Sequence, residues 1–182
     1  MNIAELMYRN ARKYPEKEAI IFKEQRLNYR EINEISNQFA NALINLGIEK
    51  GDRVAMMMRN SEKFVAGYFG ILKAGAVVVP INTGLLKSEV QFIVNSCEAE
   101  MFVFDEVFAP VLKGIIDELP LVKHFICVGQ NNPQHTLQYH ELMENQSVHQ
   151  PPVTIDDEDL CSIIYTSGTT GIHVGRFSNI EM

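Results

Sequence analysis

The sequence predicts an α/β fold, a mainly parallel sheet with helices on both faces, and two observations carry that reading. Short apolar runs at Val54–Met58, Ala76–Val79, Met101–Phe104 and Phe125–Val128 read as strands bounded by turn residues. Between them lie segments whose apolar residues recur three to four apart, the spacing of one helix face. Strands alternating with amphipathic helices imply right-handed crossovers and a sheet covered on both sides. No internal repeat or low-complexity tract interrupts the alternation.

Taken in order, Ile3, Leu6 and Met7 through Lys13 predict an amphipathic helix stopped by Pro15. Ala19–Phe22 and Leu27–Tyr29 predict two short strands joined through Lys23-Glu24-Gln25-Arg26, so a hairpin opens the fold. From Arg30 the positions Ile32, Ile35, Phe39, Leu43 and Leu46 share one helical face, and Gly47 stands where a C-terminal cap belongs. Asn60-Ser61 offers caps for a helix through Phe64, Val65, Tyr68, Phe69 and Leu72, ended by Gly75. Ser88 and Gln91 have the spacing of a capping box ahead of Val90, Ile93, Val94 and Cys97. Val107, Val111, Leu112, Ile115 and Ile116 predict a further helix ending before Pro120, and Gln138–Glu144 a short one. Residues 146–159, with Pro151-Pro152 and the acidic run Asp156–Asp159, read as a surface connector feeding a last strand, Leu160–Ile164.

Composition bounds the function. The 182 residues are 46% hydrophobic and 21% charged, as in an ordinary globular domain, and the net charge of −7 argues against nucleic acid or an anionic membrane as partner. Cys97, Cys127 and Cys161 sit in or beside apolar runs with no Cys-x-x-Cys pair, which fits buried thiols in a reducing cytoplasm. Met1 to Glu5 show no leader, and the longest apolar run, Ala74–Ile81, is too short to span a bilayer; a cytoplasmic chain without a transmembrane segment is expected. The five histidines have neither i, i+4 pairing nor a carboxylate cluster, so no metal site is expected. Walker, dinucleotide and nucleophile-elbow patterns do not match.

The candidate site follows the last strand. In Tyr165-Thr166-Ser167-Gly168-Thr169-Thr170-Gly171, two glycines let the backbone turn and the four Ser and Thr hydroxyls add donors to a row of main-chain N–H groups. Such a loop can curl around an oxyanion, and beyond the carboxyl end of a strand it lies where open α/β sheets bind ligands. By composition alone the same residues would also make a solvated turn.

The heptamer resembles the phosphate-binding loop of the adenylate-forming superfamily, the AMP-binding acyl-CoA synthetases. Leu27–Ile32, Gly47–Ala55 and Gly70–Asn82 resemble segments found in the same order in those enzymes, so the likeness runs from the start of the chain to Gly171. It implies the N-terminal portion of that family's large domain. It also implies ATP-dependent activation: a carboxylic acid attacks the α-phosphate to give an acyl-adenylate and pyrophosphate, and coenzyme A then takes the acyl group, with Mg2+ as counter-ion. On this likeness Thr166, Ser167, Gly168, Thr169, Thr170 and Gly171 would hold the β- and γ-phosphates by orientation and charge stabilisation; no residue is assigned a catalytic role.

After the loop the family usually reads Lys-Pro-Lys-Gly, whereas this chain has Ile172-His173-Val174-Gly175, with the glycine in register and both lysines gone. Residues 172–182 are expected to form a divergent tail, and residues 1–182 to be a partial AMP-binding domain without the small C-terminal domain. Such a chain is either truncated, with a changed reading frame near residue 172 as one cause, or a fragment of a longer one. Three readings follow: a truncated acyl-CoA synthetase, inactive alone; a non-catalytic remnant that binds nucleotide weakly or interacts with another chain; or an unrelated phosphate binder. The strand Leu160–Ile164 is expected to find its neighbours largely outside this chain and to promote self-association.

Overall fold

In the computed structural model the described residues are 3–131, 133–167 and 173–179, with Ser167 and the last seven described by main chain only. The chain opens with helix α1 (Ile3–Lys13), then the antiparallel hairpin β1 (Glu18–Phe22) and β2 (Gln25–Asn28). Its turn is only Lys23-Glu24, and Lys23 takes a positive φ of 54°, the conformation that a two-residue hairpin demands. Helix α2 (Tyr29–Asn45) starts on a true capping box: Asn28 Oδ1 accepts the Glu31 N–H at 2.9 Å, and Glu31 Oε2 accepts the Asn28 N–H at 2.8 Å. Gly47, at φ 92°, ends it.

The rest of the chain builds one seven-stranded sheet. In chain order its elements are β3 (Arg53–Met57), α3 (Glu62–Lys73), β4 (Val77–Pro80), α4 (Lys87–Ser96), β5 (Met101–Asp105), α5 (Ala109–Leu112), β6 (His124–Val128), β7 (Leu137–Gln138), α6 (Tyr139–Met143), β8 (Leu160–Ser167) and β9 (His173–Asn179). The strand order is β7-β6-β5-β3-β4-β8-β9, parallel throughout except for the antiparallel pair β8·β9. Alternate residues of each strand enter opposite cores. Val54, Met56, Val78, Val103 and Ile126 meet Phe39, Leu43 and Ile71 of α2 and α3 on one face. Ala55, Met57, Val79, Phe102 and Phe104 meet Val90 and Ile93 of α4 and Leu112 on the other. The largest of these side chains are fully enclosed, each contributing about 1.5–3 kcal/mol relative to exposure. The predicted fold class is thus the observed one.

Three expectations need correction. The helix over 107–116 is instead two single turns of 3-10 helix, Glu106–Phe108 and Ile116–Glu118, around the four-residue α5, because Pro110 can sit only in a first turn and Gly114 weakens continuation. Ser88 and Gln91 form no capping box: α4 begins at Lys87, the Glu89 carboxylate accepts the Leu86 N–H at 2.7 Å, and Gln91 reaches Glu118 instead. Most consequentially, the last strand is not short of neighbours. β8 lies between β4, with Val78 opposite Ser162, and β9, because Cys161 and Ile163 belong to the two cores that the preceding strands share.

Candidate functional site

The parallel register brings the carboxyl ends of β3, β4, β5, β6 and β8 to one edge of the sheet. Two neighbours there are left in opposite directions: β3 runs toward α3 on one face, and β5 toward α5 on the other. Between such strands an open sheet has its crevice. Here it is tied across, since Asp105 Oδ2 accepts the Arg59 N–H at 2.7 Å and the Arg59 guanidinium lies 5.9 Å from the Phe108 ring centre. Burial raises the Asp105 carboxyl above its ordinary pKa, and the Arg59 N–H opposes that shift. The neighbouring Glu106 is shifted the other way. Its carboxylate accepts the N–H groups of Asn131 (2.9 Å) and Gln130 (2.7 Å), which hold its pKa below the ordinary value.

Two strands along, about 10 Å at ordinary strand spacing, β8 reaches the same edge. Counting from Val78 opposite Ser162, Pro80 is level with Ile164, so Tyr165, Thr166 and Ser167 run past the end of β4. On their other side they pair with Gly175, Val174 and His173 of β9. Thr166 is exposed at this projecting end, and Ser167 follows it as the last residue of β8. Gly168, Thr169, Thr170 and Gly171 lie outside the described residues. Of the six predicted phosphate-loop residues, the structure therefore places Thr166 and the main chain of Ser167.

The base of this projection is held from both faces. On one, the Tyr68 hydroxyl of α3 is hydrogen-bonded to Ser162; burial raises the Tyr68 pKa and that bond opposes the rise. On the other, the Tyr165 hydroxyl meets Ser96 Oγ at 3.1 Å, at the last residue of α4. Tyr165 too is shifted upward by burial, against the Ser96 bond. The strand delivering the loop is thus tied by hydroxyl contacts to the helix on each side of the sheet. Of Arg59, Asp105, Glu106, Tyr68 and Ser96, only Tyr68 stood out in the sequence, and as part of a helix face rather than a site. The only signal available was position, directly after a strand for the charged three and on a helix for the hydroxyls. Among the described residues no three His, Cys, Asp or Glu side chains come together, and no helix is long and apolar enough to cross a membrane.

Comparison with known proteins agrees with the fold. The chain is similar to the crotonobetaine/carnitine–CoA ligase of Citrobacter koseri, 33% identical over 168 residues that cover 86% of this chain and 32% of that protein. It is also similar to the long-chain-fatty-acid–CoA ligase FadD13 of Mycobacterium tuberculosis, 35% identical over 153 residues, 80% of this chain and 28% of that one. Its fold superposes on the crystal structure of the anthranilate CoA ligase AuaEII in complex with anthranoyl-AMP with a TM-score of 0.94 at 29% identity, covering 98% of this chain and 35% of that chain. The chain therefore spans about a third of the length of the proteins it matches. Residues 7–172, from α1 to just past the hydroxyl loop, match the family described as AMP-binding enzyme, and to that family the chain belongs.

Proposed function

We propose that this chain is the N-terminal part of an ATP-dependent acyl-CoA synthetase, and that Thr166 to Gly171 are its contacts to the nucleotide phosphates. The observation that carries the reading is the hydroxyl-and-glycine run itself, at the end of a strand that projects past its neighbour at the sheet's carboxyl edge. In this reading the main-chain N–H groups and hydroxyls of the run grip the β- and γ-phosphates and fix the α-phosphate for in-line attack by a carboxylate. Acyl-adenylate and pyrophosphate result, and a thiol such as that of coenzyme A then displaces AMP. The chain's part is orientation and charge stabilisation.

Among the described residues no three His, Cys, Asp or Glu side chains come together, and no step is assigned to magnesium. A cytoplasmic setting fits three free, buried cysteines.

The whole reaction belongs to proteins about three times as long, and the chain by itself is proposed to bind nucleotide weakly and to catalyse no adenylation. Acid-dependent exchange of pyrophosphate into ATP tests this: no exchange is expected from the purified chain with fatty or aryl acids. Steady exchange would overturn the statement of inactivity. ATP binding that is tight and indifferent to Thr169→Val and Thr170→Val would overturn the assignment of the loop.

A further inference from the structure

One face of α2 carries an unusual stripe, Asn33, Asn37, Asn41 and Asn45, each four residues after the last and so stacked along the helix. By sequence such a stripe reads as a solvent face. Instead it is used in two directions. Toward the core, Lys73, at the C-terminal end of α3 and 3% exposed, points its Nζ at Asn33 Oδ1 (2.7 Å), Asn37 Oδ1 (2.8 Å) and the Asn33 carbonyl (3.2 Å). Toward the surface, Asn37 Nδ2 donates to the Val148 carbonyl at 2.7 Å. Asn41 Nδ2 donates to the carbonyls of Ser147 and His149 at 2.9 and 3.0 Å, and Asn45 Nδ2 donates to Gln146 Oε1 at 2.9 Å. Residues 146–149 of the connector are thus strapped across α2 by side-chain amides, and further on the chain becomes β8.

Asn37 belongs to both sets, and its amide has a polarity. Nζ also faces Asn33 Oδ1 and the Asn33 carbonyl, so it acts there as a donor; whichever way the Asn37 amide would otherwise turn, Lys73 selects its oxygen and leaves Nδ2 facing the strap. A carbonyl is what Nδ2 then needs, and Val148 supplies it. We infer that Lys73 is a positioning residue: by fixing the orientation of the Asn37 amide it latches the strap to α2 and sets the start of β8. The consequence for the phosphate loop rests on the reading given under Proposed function; the latch itself does not.

Hydrogen exchange on the purified chain tests the latch. Lys73→Met removes the donor that orients Asn37. Asn37→Asp keeps two oxygens for Lys73 but has nothing to donate to Val148. Each should raise exchange in 146–153 and Leu160–Ile163 by about tenfold, the loss of one hydrogen bond, while Val54–Met57 keeps its protection relative to the global transition. The double variant should exchange no faster than either single one, because both break the same link. Asn41→Ala, which loosens the strap without touching Lys73, should add to either. An unchanged strap in Asn37→Asp, or full additivity of Lys73→Met with Asn37→Asp, overturns the latch, and the Asn37→Asp arm decides the matter even if Lys73→Met does not fold. ATP titration of the same variants separates the two readings. Absence of ATP binding by the unaltered chain counts against the phosphate loop alone, while a loosened strap with unaltered ATP affinity overturns the extension of the latch to the loop.

Discussion

The ring of Phe39 occupies the space that any side chain at position 70 would need: a Cβ built on Gly70 falls 2.8 Å from Phe39 Cδ1 and 3.1 Å from the Ser36 carbonyl oxygen. Helices α2 and α3 approach through that missing side chain, and the ring it admits is wholly buried. Gly70→Ala should therefore destabilise the fold by about 1–3 kcal/mol, the ordinary cost of overpacking, despite alanine's better helix propensity. At Gly67, one turn earlier, the nearest atom to an added Cβ is Met56 Sδ at 3.4 Å, on a side chain that can shift. Gly67→Ala should be neutral or stabilise by up to about 1 kcal/mol. Urea midpoints of the two variants check the contrast, and equal midpoints would contradict it.

Lys73 gives stability a pH dependence. Burial pulls its pKa from 10.5 down to about 7 in the folded chain, whereas the unfolded chain keeps the ordinary value. Between those values the unfolded state holds the extra proton, so stability rises with pH, by at most about 1.4 kcal/mol per unit. The three oxygens facing Nζ favour the ammonium and reduce that slope. Cys97 and Cys127 act in the opposite sense: burial pushes both thiols from 9 up to about 11, so at higher pH the folded state keeps protons that the unfolded state has lost. Stability should peak at about pH 8–9.5 and fall on either side. In Lys73→Met the limb between about pH 7 and 8.5 should flatten; a limb as steep as in the unaltered chain would rule out Lys73 as its source.

The position of β8 sets a third expectation. With β4 on one side and β9 on the other, and with Cys161 and Ile163 buried in the two cores, its amides are internal to the sheet. In a monomeric sample, Ile163 and Ile164 should exchange within about tenfold of Val78 and Val79. Free exchange of those two amides would mean that β9 does not hold its place beside them.

How much of this was legible in the sequence depended on how many residues carried each signal. Helix α2 announces itself through Ile32, Ile35, Phe39 and Leu43 at regular spacing, and the parallel strands β3, β4, β5 and β6 each through a run of four or five apolar residues. The segment 107–119 has helical spacing as well, but periodicity is blind to what Pro110 and Gly114 do to the main chain. β7 is two residues long, too short for any period, and β9 interleaves Gly175 and Arg176 with its apolar residues. The neighbours of β8 could not be read at all, since pairing is a long-range property that the strand's own residues do not specify. The same holds for the strap: a stripe of four asparagines is visible as spacing, but the partners of Asn37 and Asn41 across the strap are carbonyls of main chain more than a hundred residues away. The loop was legible for the opposite reason, because its chemistry depends on contiguous residue types.

The last expectation concerns the two lysines that the family's loop usually has and this chain lacks. A hydrogen bond to a charged group contributes about 1.5–3 kcal/mol, so each missing lysine that would face a phosphate lowers nucleotide affinity by roughly tenfold to a hundredfold. Ile172→Lys and Val174→Lys restore the cations at the family's positions, one beside Gly171 and the other next to Gly175. If the loop holds phosphate, each substitution should tighten ATP binding by at least about tenfold, and the gain should shrink with added salt because part of it is Coulombic. AMP, with no β- or γ-phosphate, should gain little. Calorimetric titration of ATP and AMP at two salt concentrations separates this from a general increase in positive charge, which would raise the affinity for both nucleotides alike. Equal gains for AMP and ATP, or no gain for either, would place the phosphates somewhere other than Thr166 to Gly171.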